Sequence, residues 1–380
     1  MKFVLAPDSF KGSMSSVYAC SAMEKGIKKV LSDVNIIKMP MADGGEGTVD
    51  AFVIGNGGKK IDLDSVDPFG RKISASIGIL KDEKTAVIEM SSTCGLYLIK
   101  EEERNILKAS SYGTGVLIKK VLDLGFRDII IGLGGSGTND GGIGMMCALG
   151  VKFLNSVGNE IKLGAEEICD ISRIDLSNLD ERIKETSFNI ACDVNNPLIG
   201  KNGASYVFGP QKGASLDEVE FLDDSLNHFG KVILKQFGKD IRYIQGSGAA
   251  GGMGASVLFF LNGKFNLGVD LISKYNNLEY EISTSDYVFT GEGCVDGQTS
   301  LGKTPYGIGL ISKTYNVPVI CFAGKIKDDL NTLYDNGITS VIPILSEVVS
   351  LKEVLEMGYV NLQRASENIS RIINANGNSI

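Results

Sequence analysis

Apolar positions fall into short runs that alternate with amphipathic stretches at both ends of the chain. Residues 3–7 are apolar, 15–30 repeat apolar positions at helical spacing, 34–40 are apolar again, and 47–54 have the character of a second helix. The C-terminal part resumes this rhythm, with strands predicted at 287–289, 317–322 and 340–345 and helices at 306–314, 328–335 and 351–373. Strands alternating with helices predict a parallel sheet covered on both faces.

The middle of the chain is patterned differently. Apolar runs at 60–66 and 71–80 flank the turn Asp67-Pro68-Phe69-Gly70, and a third at 85–90 follows the charged turn Lys81-Asp82-Glu83-Lys84. Such spacing predicts an antiparallel meander. Helix and strand signals then mix as far as residue 272. The economical organisation is a discontinuous five-stranded α/β domain made of residues 1–60 and 280–380, with an α+β domain, 61–279, inserted after its second helix. Ligands in such folds bind at the carboxyl ends of the parallel strands, so the active site is expected there, facing the cleft between the domains.

Composition narrows the function. A chain of 380 residues exceeds one ordinary core, and its 43% hydrophobic and 22% charged residues are those of a soluble globular protein. A net charge of −8 weighs against nucleic acid as a partner. No apolar run approaches the ~20 residues that span a bilayer. The start, MKFVLAPDSF, turns polar too soon for a signal peptide and is predicted to be the first strand. Seven scattered cysteines without a CxxC pair fit reduced thiols in the cytoplasm. The single histidine, His228, falls beside the helical stripe Leu216, Val219, Leu222, Leu226, Phe229 and Ile233 and is expected to face solvent. Acid–base work therefore falls to Asp, Glu and Lys.

Four loops place glycines, acids or lysines directly after apolar strands. They are residues 6–13 (Asp8, Ser9, Lys11), 40–48 (Asp43, Gly44, Gly45, Glu46), 290–305 (Glu292, Asp296, Gln298, Thr299, Lys303) and 323–325. Carboxyl ends of parallel strands share one edge, so these loops are expected to converge. Carboxylates there suit Mg²⁺, and lysines and backbone amides suit phosphate.

Two glycine patterns require a decision. Gly297, Gly302, Lys303 and Thr304 match the P-loop spacing. Residues 291–296 separate that match from its strand, however, Pro305 follows it at once, and the next strand does not end in an acid, so we reject a P-loop. In the middle domain, Gly132, Gly134 and Gly137 satisfy G-x-G-x-x-G. The strand at 151–154 carries no acid at its tip, which weakens a dinucleotide reading and leaves an anion nest at these amides, or a tight packed turn, as the alternatives. Cys192-Asp193 closes another apolar strand, and residues 246–254 open a helix with small residues that serve either packing or ligand contact.

The segments APDSFKGS, PMADGGEGT, SYGTG, GLGGSGTNDGG, CDVNNPL, FGPQKGA, GAAGGMG and TGEGCVDGQTSLGK, in this order, resemble the bacterial-type glycerate kinase family nearly end to end. The resemblance implies a flavodoxin-like main domain with an inserted second domain, and ATP-dependent phosphorylation of glycerate, with 2-phosphoglycerate favoured over 3-phosphoglycerate. On that reading Asp43 or Asp193 orients the substrate hydroxyl, and Glu292 and Asp296 lie near Mg²⁺. Lys11 and Lys303 meet phosphate or the glycerate carboxylate. Asp8, Ser9, Gly44, Gly45, Glu46, Asn139, Asp140, Gln298 and Thr299 complete the expected substrate and phosphate contacts, with the amides around Gly134, Gly135, Ser136 and Thr138 as an anion cradle. Oligomeric state stays open, and a homo-oligomer is compatible with the chain. Two other classes remain: a nicotinamide-dependent oxidoreductase of a small hydroxy acid, and a binding protein for a small acid without turnover.

Overall fold

The computed structural model describes residues 1–296, 299, 303–327 and 330–377. The chain divides into two compact units, Met1–Asp43 with Asp50–Gly58 and Leu267–Ile380, and Gly44–Val49 with Lys59–Asn266.

The first unit is built on five parallel strands in the spatial order Asn35–Lys38, Lys2–Leu5, Tyr287–Val295, Val319–Ile326 and Ser340–Pro343. Phe3 pairs with Ile36 on one side and with Tyr287 on the other, which makes the N-terminal strand internal. Internal parallel strands are buried on both faces and so read as continuous apolar runs. Phe3, Leu5, Phe289 and Phe322 lie wholly inside with Met23, Ile27 and Leu362, each contributing about 1.5–3 kcal/mol through burial. The helix Ser16–Lys28 starts at Ser15, whose hydroxyl caps the amide of Tyr18 at 3.3 Å. Its Gly26 backs onto Gln363 and Ser366 of the final helix so closely that no side chain would fit.

Several expected elements differ, and residues 323–325, expected as a loop, lie inside the strand Val319–Ile326. The strand predicted at 287–289 runs on to Val295, because its pairing with Val319–Ile326 continues through Cys294↔Lys325 and Val295↔Ile326. Glu292 is therefore a strand residue and not a loop residue. The single helix expected at 351–373 is two, Leu351–Glu356 and Gly358–Gly377, with Gly358 packed against the Ser13 hydroxyl where a Cβ would clash. The helix expected at 328–335 is Asn331–Asp335 within the described residues.

The second unit carries a six-stranded mixed sheet. The hairpin Lys59–Val66 and Lys72–Ile79 and the strand Thr85–Glu89 form the antiparallel meander. Thr85–Glu89 then pairs in parallel with Asp128–Gly132, which pairs with Ser187–Ala191, which pairs with Lys264–Asn266. Loops 133–142 and 192–198 thus both leave carboxyl ends of parallel strands. Lys152–Leu154 lies outside this sheet, antiparallel to Arg173–Asp175 in a two-stranded one. The strand expected at 151–154 is therefore not the parallel neighbour of the strand that carries the glycine loop.

The long helix Leu216–Phe237 has a full capping box, Ser215 with Glu218, and ends on Gly238 at φ 73°. His228, expected in solvent, is half-buried, and its Nε2 lies 2.7 Å from the carbonyl of Ile171. A stripe edge meets the neighbouring segment there, which periodicity alone does not reveal. The seven cysteines, all among the described residues, form no disulfide. Among the described residues no helix is long and apolar enough to cross a membrane.

Candidate active site

In the first unit, strand ends gather acids, lysines and hydroxyls from distant parts of the sequence. Asp8 follows the N-terminal strand, and its amide donates to the Gly291 carbonyl at 2.8 Å. Asp8 Oδ1 accepts from the Ser9 amide at 2.6 Å, and Oδ2 accepts from Thr304 Oγ1 at 2.8 Å. Lys11 Nζ reaches Asp43 Oδ2 at 3.3 Å. Thr299 Oγ1 donates to Glu292 Oε1 at 2.6 Å and accepts from the Asp296 amide at 3.0 Å, so one hydroxyl sets both acids. Lys303, the residue that precedes the helix Thr304–Thr314, holds Nζ 3.9 Å from Asp296 Oδ1. Glycines make this crowding feasible. A side chain at Gly293 would press on the Lys11 amide at 3.2 Å, and one at Gly291 on the ring of Phe10.

The cluster is electrostatically strained toward a positive guest. Burial, followed by repulsion from Asp43, pushes the Asp8 carboxyl up to about 6. Burial lifts Glu292 to about 7, against the pull of the Thr299 bond and Lys303. Lys11 is raised, first by the charge of Asp43. Carboxylates held above their ordinary range gain most when a cation arrives, because its charge reverses the cost of burial. Among the described residues no three His, Cys, Asp or Glu side chains form a preformed cage. Mg²⁺ does not need one, since it takes one or two carboxylates and leaves the rest of its shell to water and phosphate. The donor set of Glu292 and Asp296 fits that use.

The second unit adds its own set. Glu89, at the end of its strand, is buried and accepts from the amides of Gly47 at 3.1 Å and Val49 at 3.2 Å, and from the Ser91 hydroxyl at 2.9 Å. Its carboxylate thereby shapes the loop that carries Gly44, Gly45 and Glu46, of which Glu46 is exposed. Gly44, at φ +91°, approaches the Ala191 carbonyl closer than any Cβ allows. In loop 133–142 the expected cradle is narrower than the sequence implies. The Gly134 amide is spent on Gly44 O at 2.9 Å and the Gly137 amide on Cys94 O at 2.7 Å. Gly135, at φ +74°, is exposed at the crest beside Ser136. Asn139 and Asp140 lie in the interior. Asn139 Nδ2 donates to Ser205 Oγ at 3.0 Å, and Asp140 takes four donors, from Ser111, Gly142 and Gly144. Their side chains build the loop, while Thr138 offers its carbonyl inward to Lys212 at 2.7 Å. Asp193 is half-buried, just past its strand. Gln298, Gly297 and Gly302 lie outside the described residues.

Residues 246–254 resolve toward packing. Gly251 abuts the Thr138 carbonyl, and its own carbonyl accepts from the Gly141 amide at 3.0 Å. Thr304, Glu89 and Lys212 were not singled out from the sequence. Thr304 carried a signal, since it sat in the rejected P-loop match. Glu89 ends an apolar strand as an isolated acid, and Lys212 has no local sign of burial.

Fold and strand-end chemistry together define an α/β protein whose clustered acids and lysines lie at or near the carboxyl ends of parallel strands. The chain belongs to the glycerate kinase family, whose family model matches residues 3–374. It is 43% identical to a glycerate kinase of Haemophilus influenzae over 98% of this chain and 99% of the other. It is 44% identical to a glycerate 2-kinase of Escherichia coli strain K12, over 97% of each. A crystal structure from Salmonella typhimurium LT2, of a protein assigned as glycerate kinase 2, matches with a TM-score of 0.86 at 38% identity, covering 100% of this chain and 99% of that one.

Proposed function

We propose that this enzyme transfers the γ-phosphoryl group of ATP, in line, to a hydroxyl of glycerate, with 2-phosphoglycerate as the product in preference to 3-phosphoglycerate. The observation that carries this reading is the strand-end cluster of Asp8, Lys11, Asp43, Glu292 and Asp296, set in a chain of the glycerate kinase family. Phosphoryl transfer asks little covalent chemistry of a protein and is driven by positioning and charge neutralisation. Lys11 and Lys303 meet anionic oxygens, and Asp43 or Asp193 orients the attacking hydroxyl. Glu292 and Asp296 would hold Mg²⁺, which would supply charge neutralisation at the phosphates.

The strand order of the first unit supports a flavodoxin-like main domain, discontinuous in sequence, and we take Lys59–Asn266 as the body of the inserted domain. The test is NMR of the product formed from ATP and glycerate. Phosphorus coupled to the C2 proton supports the proposal, coupling to the C3 protons replaces the regiochemistry, and no phosphorylated glycerate contradicts it.

A further inference from the structure

Lys212 is unused by the chemistry above, yet it occupies an expensive position. It closes the short turn Pro210–Lys212, and Gly213 follows at φ 97°. The whole residue is only 2% exposed. Its Nζ donates to Ser136 Oγ at 2.8 Å and to the Thr138 carbonyl at 2.7 Å. Among the described residues no carboxylate forms an ion pair with it. Asp140 is the acid that acts on it among the described residues, and that carboxylate already accepts from Ser111, Gly142 and Gly144. Burial pulls the Lys212 pKa down to about 7, against the opposing charge of Asp140, so the fold holds this amine at a cost that its two hydrogen bonds only partly offset.

What the amine does to Ser136 explains its presence. Because Ser136 Oγ accepts from Lys212, its own O–H remains to donate to another acceptor. The amides of Gly135 and Ser136 make no hydrogen bond among the described residues, whereas Gly134 and Gly137 have spent theirs within the fold. Thr138 Oγ1 and Asn139 Oδ1 are also buried without partners beside this point. The crest therefore presents two amides and a hydroxyl proton, with the Lys212 amine hydrogen-bonded behind that hydroxyl.

We propose that Lys212 is a positioning residue for an oxyanion of a substrate: by donating to Ser136 Oγ it fixes Ser136 as a donor at the crest of loop 133–138. The proposal rests on the kinase reading for its substrates. The oxyanion is a phosphate of the nucleotide or the carboxylate of glycerate, and separate titrations of the two distinguish them. Lys212 touches neither ligand.

The test uses the full-length enzyme with Ser136→Ala, Lys212→Met and the double variant, following ADP release while ATP and glycerate are varied in turn. A charge-assisted hydrogen bond is worth about tenfold in binding. The KM of one substrate should therefore rise about tenfold in each single variant, with kcat within about threefold. The double variant should be no more than about threefold worse than the poorer single, because both changes remove one device. Lys212→Met leaves the Thr138 carbonyl and Ser136 Oγ without their donor and should melt below wild type, so the split between KM and kcat, and not stability, separates positioning from a structural role. Should Lys212→Met fail to fold, Ser136→Ala decides alone. Both KM values unchanged in Ser136→Ala, a loss confined to kcat, or multiplicative effects in the double variant would each overturn the proposal. Absence of wild-type turnover would instead overturn the kinase reading, so the two failures are separable.

Discussion

Thr304 donates its hydroxyl to Asp8 Oδ2 at 2.8 Å across 296 residues of sequence, tying the first turn of one helix to the loop after the N-terminal strand. Both belong to the first unit, so the bond sets the angle of an acid inside a single body. It also holds the Asp8 pKa down against burial. Removing it with Thr304→Val should lift that carboxyl further above about 6. The acidic limb of the pH profile of kcat/KM should then move to higher pH, which an unchanged limb would contradict.

Glu292 gives a stability prediction with a definite sign. Its folded pKa, about 7, lies above the ordinary 4.5, so the native state binds the extra proton between those values. The stability tied to this group is fully present below the unfolded value and is lost as pH rises through 7. Glu292→Gln should therefore be more stable than wild type at pH 8, by about 1–3 kcal/mol, and the gain should shrink toward pH 5. Urea denaturation at the two pH values measures it. Activity should fall in the same variant if Glu292 is one of the carboxylates that hold the cation, as proposed above.

For Asp43 and Asp193 the prediction concerns rate. Asp→Asn at whichever residue orients the hydroxyl should lower kcat about 10²- to 10⁴-fold. The melting temperature should change little for Asp43→Asn, since the Lys11–Asp43 pair is solvent-exposed on the lysine side, at 84%. Near wild-type kcat in both variants would remove these residues from the mechanism.

Glu89 behaves as the opposite case. Its buried carboxylate satisfies the amides of Gly47 and Val49 and the Ser91 hydroxyl. Glu89→Leu leaves these donors unpartnered and should cost about 3 kcal/mol in urea denaturation. A variant as stable as wild type would mean the loop re-forms its bonds elsewhere.

Much of this architecture was legible because parallel strands announce themselves as short apolar runs between amphipathic helices. The loops with Asp8, Asp43 and Glu292 stood out because acids and glycines followed such runs directly. Other features depended on tertiary partners. Pairing to Val319–Ile326 carried the strand past Phe289 and made Glu292 a strand residue. Gly134 and Gly137 looked like free amides until their carbonyl partners, Gly44 and Cys94, came into place. Lys212 reads as a surface lysine in FGPQKGA, and only its contact with Ser136 marks it as buried. His228 likewise sits at the edge of an apolar stripe whose far side is closed by Ile171. Spacing reports which face of an element is apolar, but not which neighbour lies at its rim.

The most direct measurement of the central claim is ADP release by the purified enzyme, coupled to a reporter reaction, with ATP, with and without glycerate and with and without Mg²⁺. The account predicts ADP release that requires both glycerate and Mg²⁺ and that falls sharply in Asp43→Asn or Asp193→Asn. Absence of glycerate-dependent ADP with Mg²⁺ present would contradict it.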